Sequence, residues 1–122
     1  MTQAMLWVAA GGAVGAIGRF LISTWMFVPG RFPWATLIIN IAGSFAIGVL
    51  WGVGQNQVWF DTWGRYLLVV GVLGGFTTFS AFSLETVAMV ETGRYLQAAS
   101  YVVGSVVVCV FMALLGQRLT YN

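Results

Sequence analysis

Four apolar stretches dominate this chain: Ala4 to Val28, Trp34 to Gly54, Trp63 to Val90 and Leu96 to Leu119, of 25, 21, 28 and 24 residues. A helix needs about 20 such residues to cross the hydrocarbon core of a bilayer. Each stretch therefore predicts a membrane-spanning helix. The runs are continuously apolar and do not alternate, which argues against a β-barrel. Between them lie Pro29 to Pro33, Gln55 to Thr62 and Glu91 to Tyr95, short segments whose proline, glycine, asparagine and charged residues suit turns. The expected fold is an all-α membrane protein, one transmembrane domain over residues 1–122 with four spans. The first stretch is too long for a signal-peptide core and has no positively charged leader, so it reads as a retained span.

Composition closes off most other classes. The 122 residues are 60% hydrophobic and only 7% charged, against about 25% charged in soluble domains. Five arginines and three acids do not cover a soluble surface, and so apolar a chain is not intrinsically disordered. With no histidine, one cysteine and only Asp61, Glu85 and Glu91 as acids, the usual ingredients of a catalytic dyad, a metal cluster or a disulfide framework are missing. An enzyme is not expected. The arginines are scattered singly, so there is no footprint for nucleic acid.

Tryptophans and tyrosines gather near the predicted span ends, as at Trp7, Trp25, Trp34, Trp51, Trp63 and Tyr95, where amphipathic rings favour the headgroup zone. The charges give little orientation. One side would hold Arg65 and Arg118, the other Arg31 and Arg94 with Arg19 leaning toward it, so the arginine bias that orients membrane proteins nearly vanishes. One consequence is insertion in both orientations, with two opposed copies pairing as an antiparallel dimer. Such a pair supplies the inverted symmetry that larger transporters encode in one chain. Small residues at Gly11 and Gly15, and at Ser44, Gly48 and Gly52, offer close helix approach, either within a subunit or between subunits.

Polar residues inside the spans are the candidates for function. Arg19 either snorkels to the interface or draws anions into a vestibule. Glu85 either pairs with an arginine or faces water. Asn40 sits near the middle of the second span, where its amide either bonds across helices or offers an NH2 donor to something passing. In the fourth span Tyr101, Ser105 and Cys109 recur at i, i+4 and i+8 as one polar stripe, although such hydroxyls also back-bond to their own carbonyls. Cys109 reads as a buried thiol.

The third span carries the strongest signal. A continuous helix over its length would measure ~42 Å against a ~30 Å core, and Gly74, Gly75, Thr77 and Thr78 lie at its midpoint. An interruption there would free carbonyls that suit a hard cation and amide N–H groups that suit an anion. Phe79 and Phe82 follow at i and i+3 on one face, either packed as hydrophobes or turning electropositive ring edges toward a small anion.

The string from Gly74 to Glu85 (GGFTTFSAFSLE), with Asn40 to Ser44 and Gly11 to Phe20, closely resembles the Fluc (CrcB) fluoride channel family. The resemblance runs through all four spans. It implies an antiparallel dual-topology homodimer in the bacterial inner membrane, passing fluoride out of the cytoplasm through two pores. It also implies a structural sodium ion on the dimer axis, held by the carbonyls of Gly74 and Thr77. The pathway residues it implies are Asn40, Phe79, Phe82, Ser83, Tyr101, Ser105 and Cys109, with Arg19 and Glu85. Two positions depart from the family pattern: Cys109 replaces a hydroxyl residue, and Ala81 a common threonine. Passive exit suits the chemistry, because neutral HF enters across lipid from acid surroundings and dissociates inside, while a membrane negative inside drives an anion outward by ~2.3 kcal/mol per 100 mV. The rival transport reading, a small multidrug-resistance-type proton antiporter, needs an acid in the first helix, which here has Arg19. A membrane assembly protein that transports nothing is the alternative of another class.

Overall fold

A computed structural model describes residues 1–121, and its spans are helical except for a break in the third. Helix α1 is Thr2–Met26, α2 is Trp34–Gly54 and the last helix, α5, is Tyr95–Thr120. The third span, Phe60–Glu91, is built of three pieces: a π-helical segment Phe60–Leu73, one α-turn Gly74–Phe76 (α3), and α4, Phe79–Glu91. These make four helices long and apolar enough to cross a membrane. Most large apolar side chains point outward, as lipid requires, Leu6, Phe20, Trp25, Val103 and Phe111 among them.

The third span is interrupted, but not at its glycines. Gly74 keeps helical dihedrals (φ −63°, ψ −36°), whereas Thr77 (φ −79°, ψ 156°) and Thr78 (φ −150°, ψ 120°) are extended. Of the four residues at the expected interruption, the two threonines unwind and the two glycines do not. Gly75 serves close approach instead: a Cβ there would lie 3.1 Å from Ala16 N on α1. The extended backbone falls on two threonines, whose branched β-carbons favour the β region. Before the break the span is wound with i→i+5 bonds, the Gly74 N–H reaching Val69 O. This wider winding shortens the rise per residue, so a 32-residue span fits a bilayer with less overhang.

Helix α1 lies along the π-helical segment and α3, and α2 lies along α5. Both contacts depend on absent side chains. A Cβ on Gly15 would stand 2.8 Å from Phe76 N, and one on Gly116 of α5 would stand 2.9 Å from Val49 N of α2. Gly11 and Gly15 of α1 and Gly48 and Gly52 of α2 are therefore used for packing within the subunit. The loop before α2 and the loop before α5 meet at one end, where Arg94 Nη1 donates to Gly30 O at 3.2 Å. Phe82, Met89, Ala98 and Tyr101 form a buried cluster between α4 and α5, just beyond the break.

Candidate ion pathway at the break

Breaking a helix leaves the last carbonyls of one half and the first N–H groups of the next without their regular partners. In this chain the diversion of two of these donors can be followed. The Thr78 N–H, which a regular helix would send back to Gly74 O, goes to Asn40 Oδ1 at 2.9 Å. The Ala81 N–H, which would reach Thr77 O, goes to Thr78 Oγ1 at 3.1 Å, so Thr78 caps α4. The carbonyls of Gly74 and Thr77 thereby lose their helical donors. Gly75 O is occupied by Arg19 Nε at 3.0 Å, and Thr78 O by Asn40 Nδ2 at 3.0 Å.

Two cavities flank this knot. The first, about 410 Å³, is bordered by Asn40, Gly74 and Thr77 on one side and by Phe79, Phe82, Ser105 and Cys109 on the other. The second, about 400 Å³, collects Arg19, Arg31, Arg94 and Glu85 near the end that carries the first and third loops. Thr78 borders both. Three arginines against one acid make the second cavity attractive to anions.

Glu85 is not paired with an arginine. Its two oxygens accept from Thr36 Oγ1 and Tyr101 OH, each at 2.6 Å, so the carboxyl is tied between α2 and α5. Arg19 does not simply snorkel, since it is anchored on the Gly75 carbonyl and borders the second cavity.

The phenylalanines divide their roles. Their ring centroids are 5.3 Å apart at 47°, yet Phe79 is 77% exposed and Phe82 only 8%. Phe82 also meets the Tyr101 ring at 4.9 Å. The expected stripe on the fourth span splits likewise. Tyr101 is buried and turned to Glu85, whereas Ser105 and Cys109 border the first cavity. Ser105 Oγ is buried with no hydrogen-bond partner among the described residues. Ser83 does not join them, because its hydroxyl back-bonds to Phe79 O at 2.9 Å.

Thr36 escaped the sequence reading, although it holds Glu85 and borders the second cavity, and Thr78 was read as part of the interruption but not as the partner of Asn40. Thr36 lies four residues before Asn40 on the same face of α2, and that spacing was the available signal. Among the described residues no group of three or more histidines, cysteines and acids is placed to hold a metal ion.

Fold and site define a small multi-pass membrane protein organised around a broken helix with a cavity on each side. A family model described as CrcB-like protein, Camphor Resistance (CrcB), matches residues 6–117, and the chain belongs to that family. A relative from Shewanella oneidensis is 42% identical over 120 residues, covering 97% of this chain and 96% of its own. Others from Nitrobacter winogradskyi (44% over 108 residues, 87% and 86%) and Rhizobium meliloti (43% over 104 residues, 84% and 83%) are similar. All three are named fluoride-specific ion channel FluC. The family is one of channels, not enzymes.

Proposed function

We propose that this chain is a fluoride-selective passive channel of the bacterial inner membrane, working as an antiparallel dual-topology homodimer with two pores. The observation that carries the reading is the interruption at Thr77 and Thr78, bordered by an arginine-bearing cavity on one side and by Phe79, Phe82, Ser105 and Cys109 on the other. Fluoride is gathered by Arg19, Arg31 and Arg94, passes the Asn40–Thr78 knot, and meets ring edges that solvate it weakly enough to release it. The names of the relatives support fluoride as the ion, and the weak arginine bias supports insertion both ways up. The membrane potential sets the direction, outward from the cytoplasm.

A structural sodium ion belongs to the same reading. The carbonyls of Gly74 and Thr77, deprived of their helical donors, are hard oxygen donors of the kind such an ion takes, two from each subunit. When bound, sodium would supply fixed positive charge that holds two broken helices together.

Purified protein in liposomes tests the function. Fluoride efflux with chloride retained is the expected outcome. Equal leakage of both ions rejects fluoride selectivity, and leakage of neither rejects the channel and leaves an assembly protein as the reading.

A further inference from the structure

The loop between α1 and α2 is held in one shape by two tight turns. The Arg31 N–H donates to Val28 O at 3.3 Å, and Gly30 has φ +72°, so Val28 to Arg31 make a turn with Pro29 and a left-handed glycine at its centre, the type II pattern. Around Pro33 (φ −77°, ψ 65°) the Trp34 N–H donates to Phe32 O at 2.8 Å, an inverse γ-turn. Arg94 ties Gly30 O to the third loop, and the Phe32 ring packs on Trp34 at 4.8 Å and on Tyr101 at 5.2 Å. Arg31 therefore stands on a braced loop.

Beside it a third cavity, about 410 Å³, lies between the end of α1 and the start of α2. Its walls change with depth. Arg31, Trp25 and Trp34 stand at the span ends, the level of lipid headgroups, and Ile38 lies one turn further into the span, with Met26 adding to the apolar wall. Trp25 is 87% exposed and Trp34 56%. No acid borders this cavity, so Arg31 gives it an uncompensated positive charge. Arg19 and Arg94 are engaged by Gly75 O, Thr92 Oγ1 and Gly30 O, whereas the Arg31 guanidinium and both indole N–H groups meet no acceptor among the described residues. Free donors at headgroup depth above an apolar wall match a negatively charged head on an acyl chain.

We propose that this groove binds one anionic phospholipid per subunit. Arg31 takes two oxygens of the phosphodiester through its planar fork, the indoles reach headgroup or ester oxygens, and an acyl chain runs along Met26 and Ile38. A choline lipid brings its own cation toward Arg31, and free phosphate brings no chain, so the groove selects a lipid of net negative charge. The site stands whether or not the chain conducts fluoride.

In the experiment, purified protein in detergent receives phosphatidylglycerol or phosphatidylcholine with the same acyl chains, and native mass spectrometry counts the lipid retained. The expected result is one phosphatidylglycerol per subunit, held about tenfold more than phosphatidylcholine, with no displacement by an equal concentration of inorganic phosphate. Arg31→Gln should abolish the preference, and Arg31→Lys, a charge without the fork, should restore part of it. Arg65→Gln, which removes an exposed arginine at the other end, should keep it. Equal retention of the two lipids by the unaltered protein overturns the proposal without any variant. Retained preference in Arg31→Gln also overturns it, and so does an equal loss in Arg65→Gln, which would reduce the attraction to net charge. Displacement by phosphate would leave an ion site and no lipid site, and retention of no lipid would assign the groove to contact with a second copy.

Discussion

Asn40 and Thr78 exchange two hydrogen bonds, the side-chain oxygen taking the Thr78 N–H at 2.9 Å and the side-chain NH2 reaching the Thr78 carbonyl at 3.0 Å. The amide behaves as a short piece of partner backbone, pairing both polar groups of the one residue that borders both cavities. Without it, the extended residue would leave a donor and an acceptor unmet at membrane depth.

Asn40→Ala removes both bonds and is expected to lower stability by on the order of 2 kcal/mol or more, together with fluoride efflux. Asn40→Asp keeps an acceptor for the Thr78 N–H and loses the donor, so it should fall between. Melting in detergent beside liposome efflux reads the two effects. Wild-type melting of Asn40→Ala with efflux abolished would make Asn40 a donor to the ion instead of a brace for Thr78.

Glu85 bridges two helices through hydroxyls, so Thr36→Val and Tyr101→Phe should each cost about 1 kcal/mol and should not add. In a double-mutant cycle by thermal melting, the expected coupling is at least about 0.5 kcal/mol. Strict additivity would mean that the two hydroxyls hold the carboxyl independently.

Much of this was legible in the residues. Span number followed from hydrophobic length, and the broken third span from its excess length and its glycines. Which residues of the Gly74–Thr78 stretch unwind was not legible, because glycine permits both extended backbone and close helix approach. Here Gly75 serves the approach to α1, while Thr77 and Thr78 take the extended dihedrals. The partner of Glu85 was misread for a related reason. A sequence pairs acids with arginines by charge, but only the packing of α2 against α4 and α5 brings Thr36 and Tyr101 within reach. Ser83 shares the motif with Phe82, yet helix geometry offers its hydroxyl the Phe79 carbonyl four residues back.

Neighbouring glycines in α1 should respond in opposite ways. A Cβ on Gly11 would come 2.9 Å from Val72 N and 3.0 Å from Gly71 Cα, backbone atoms with no flexible end to give way. Gly11→Ala is expected to separate α1 from the third span and to cost several kcal/mol, about as much as overpacking a core or more. At Gly12 a Cβ meets nothing within 4 Å, and alanine there should be neutral or stabilising by up to about 1 kcal/mol. Melting of the two variants side by side checks the pairing of α1 with the π-helical segment.

Sodium dependence tests the carbonyl site. A ligand bound only by the assembled protein stabilises it by RT ln(1 + [L]/Kd), about 2.7 kcal/mol at a hundredfold excess over Kd. Melting of the reconstituted or detergent-held assembly should rise with sodium and should fall when sodium is exchanged for a large organic cation. Melting independent of the cation would leave the Gly74 and Thr77 oxygens without a metal role.

The two phenylalanines offer the sharpest separation of conduction from packing. Phe79 is 77% exposed on the subunit with its ring against that of Phe82, whereas Phe82 is 8% exposed and packs on Tyr101. Leucine replaces the ring with an aliphatic of similar bulk and removes the electropositive edge. Phe79→Leu should therefore leave subunit stability within about 0.5 kcal/mol while lowering fluoride efflux by about tenfold, the equivalent of ~1.4 kcal/mol on the barrier. Phe82→Leu should lower efflux comparably and also cost stability, up to about 1.5 kcal/mol for a core swap of this kind. Efflux and melting measured on both variants decide the matter. Loss of efflux that tracks only the loss of stability would assign both rings to packing, whereas loss at Phe79 without destabilisation places a ring edge in contact with the ion.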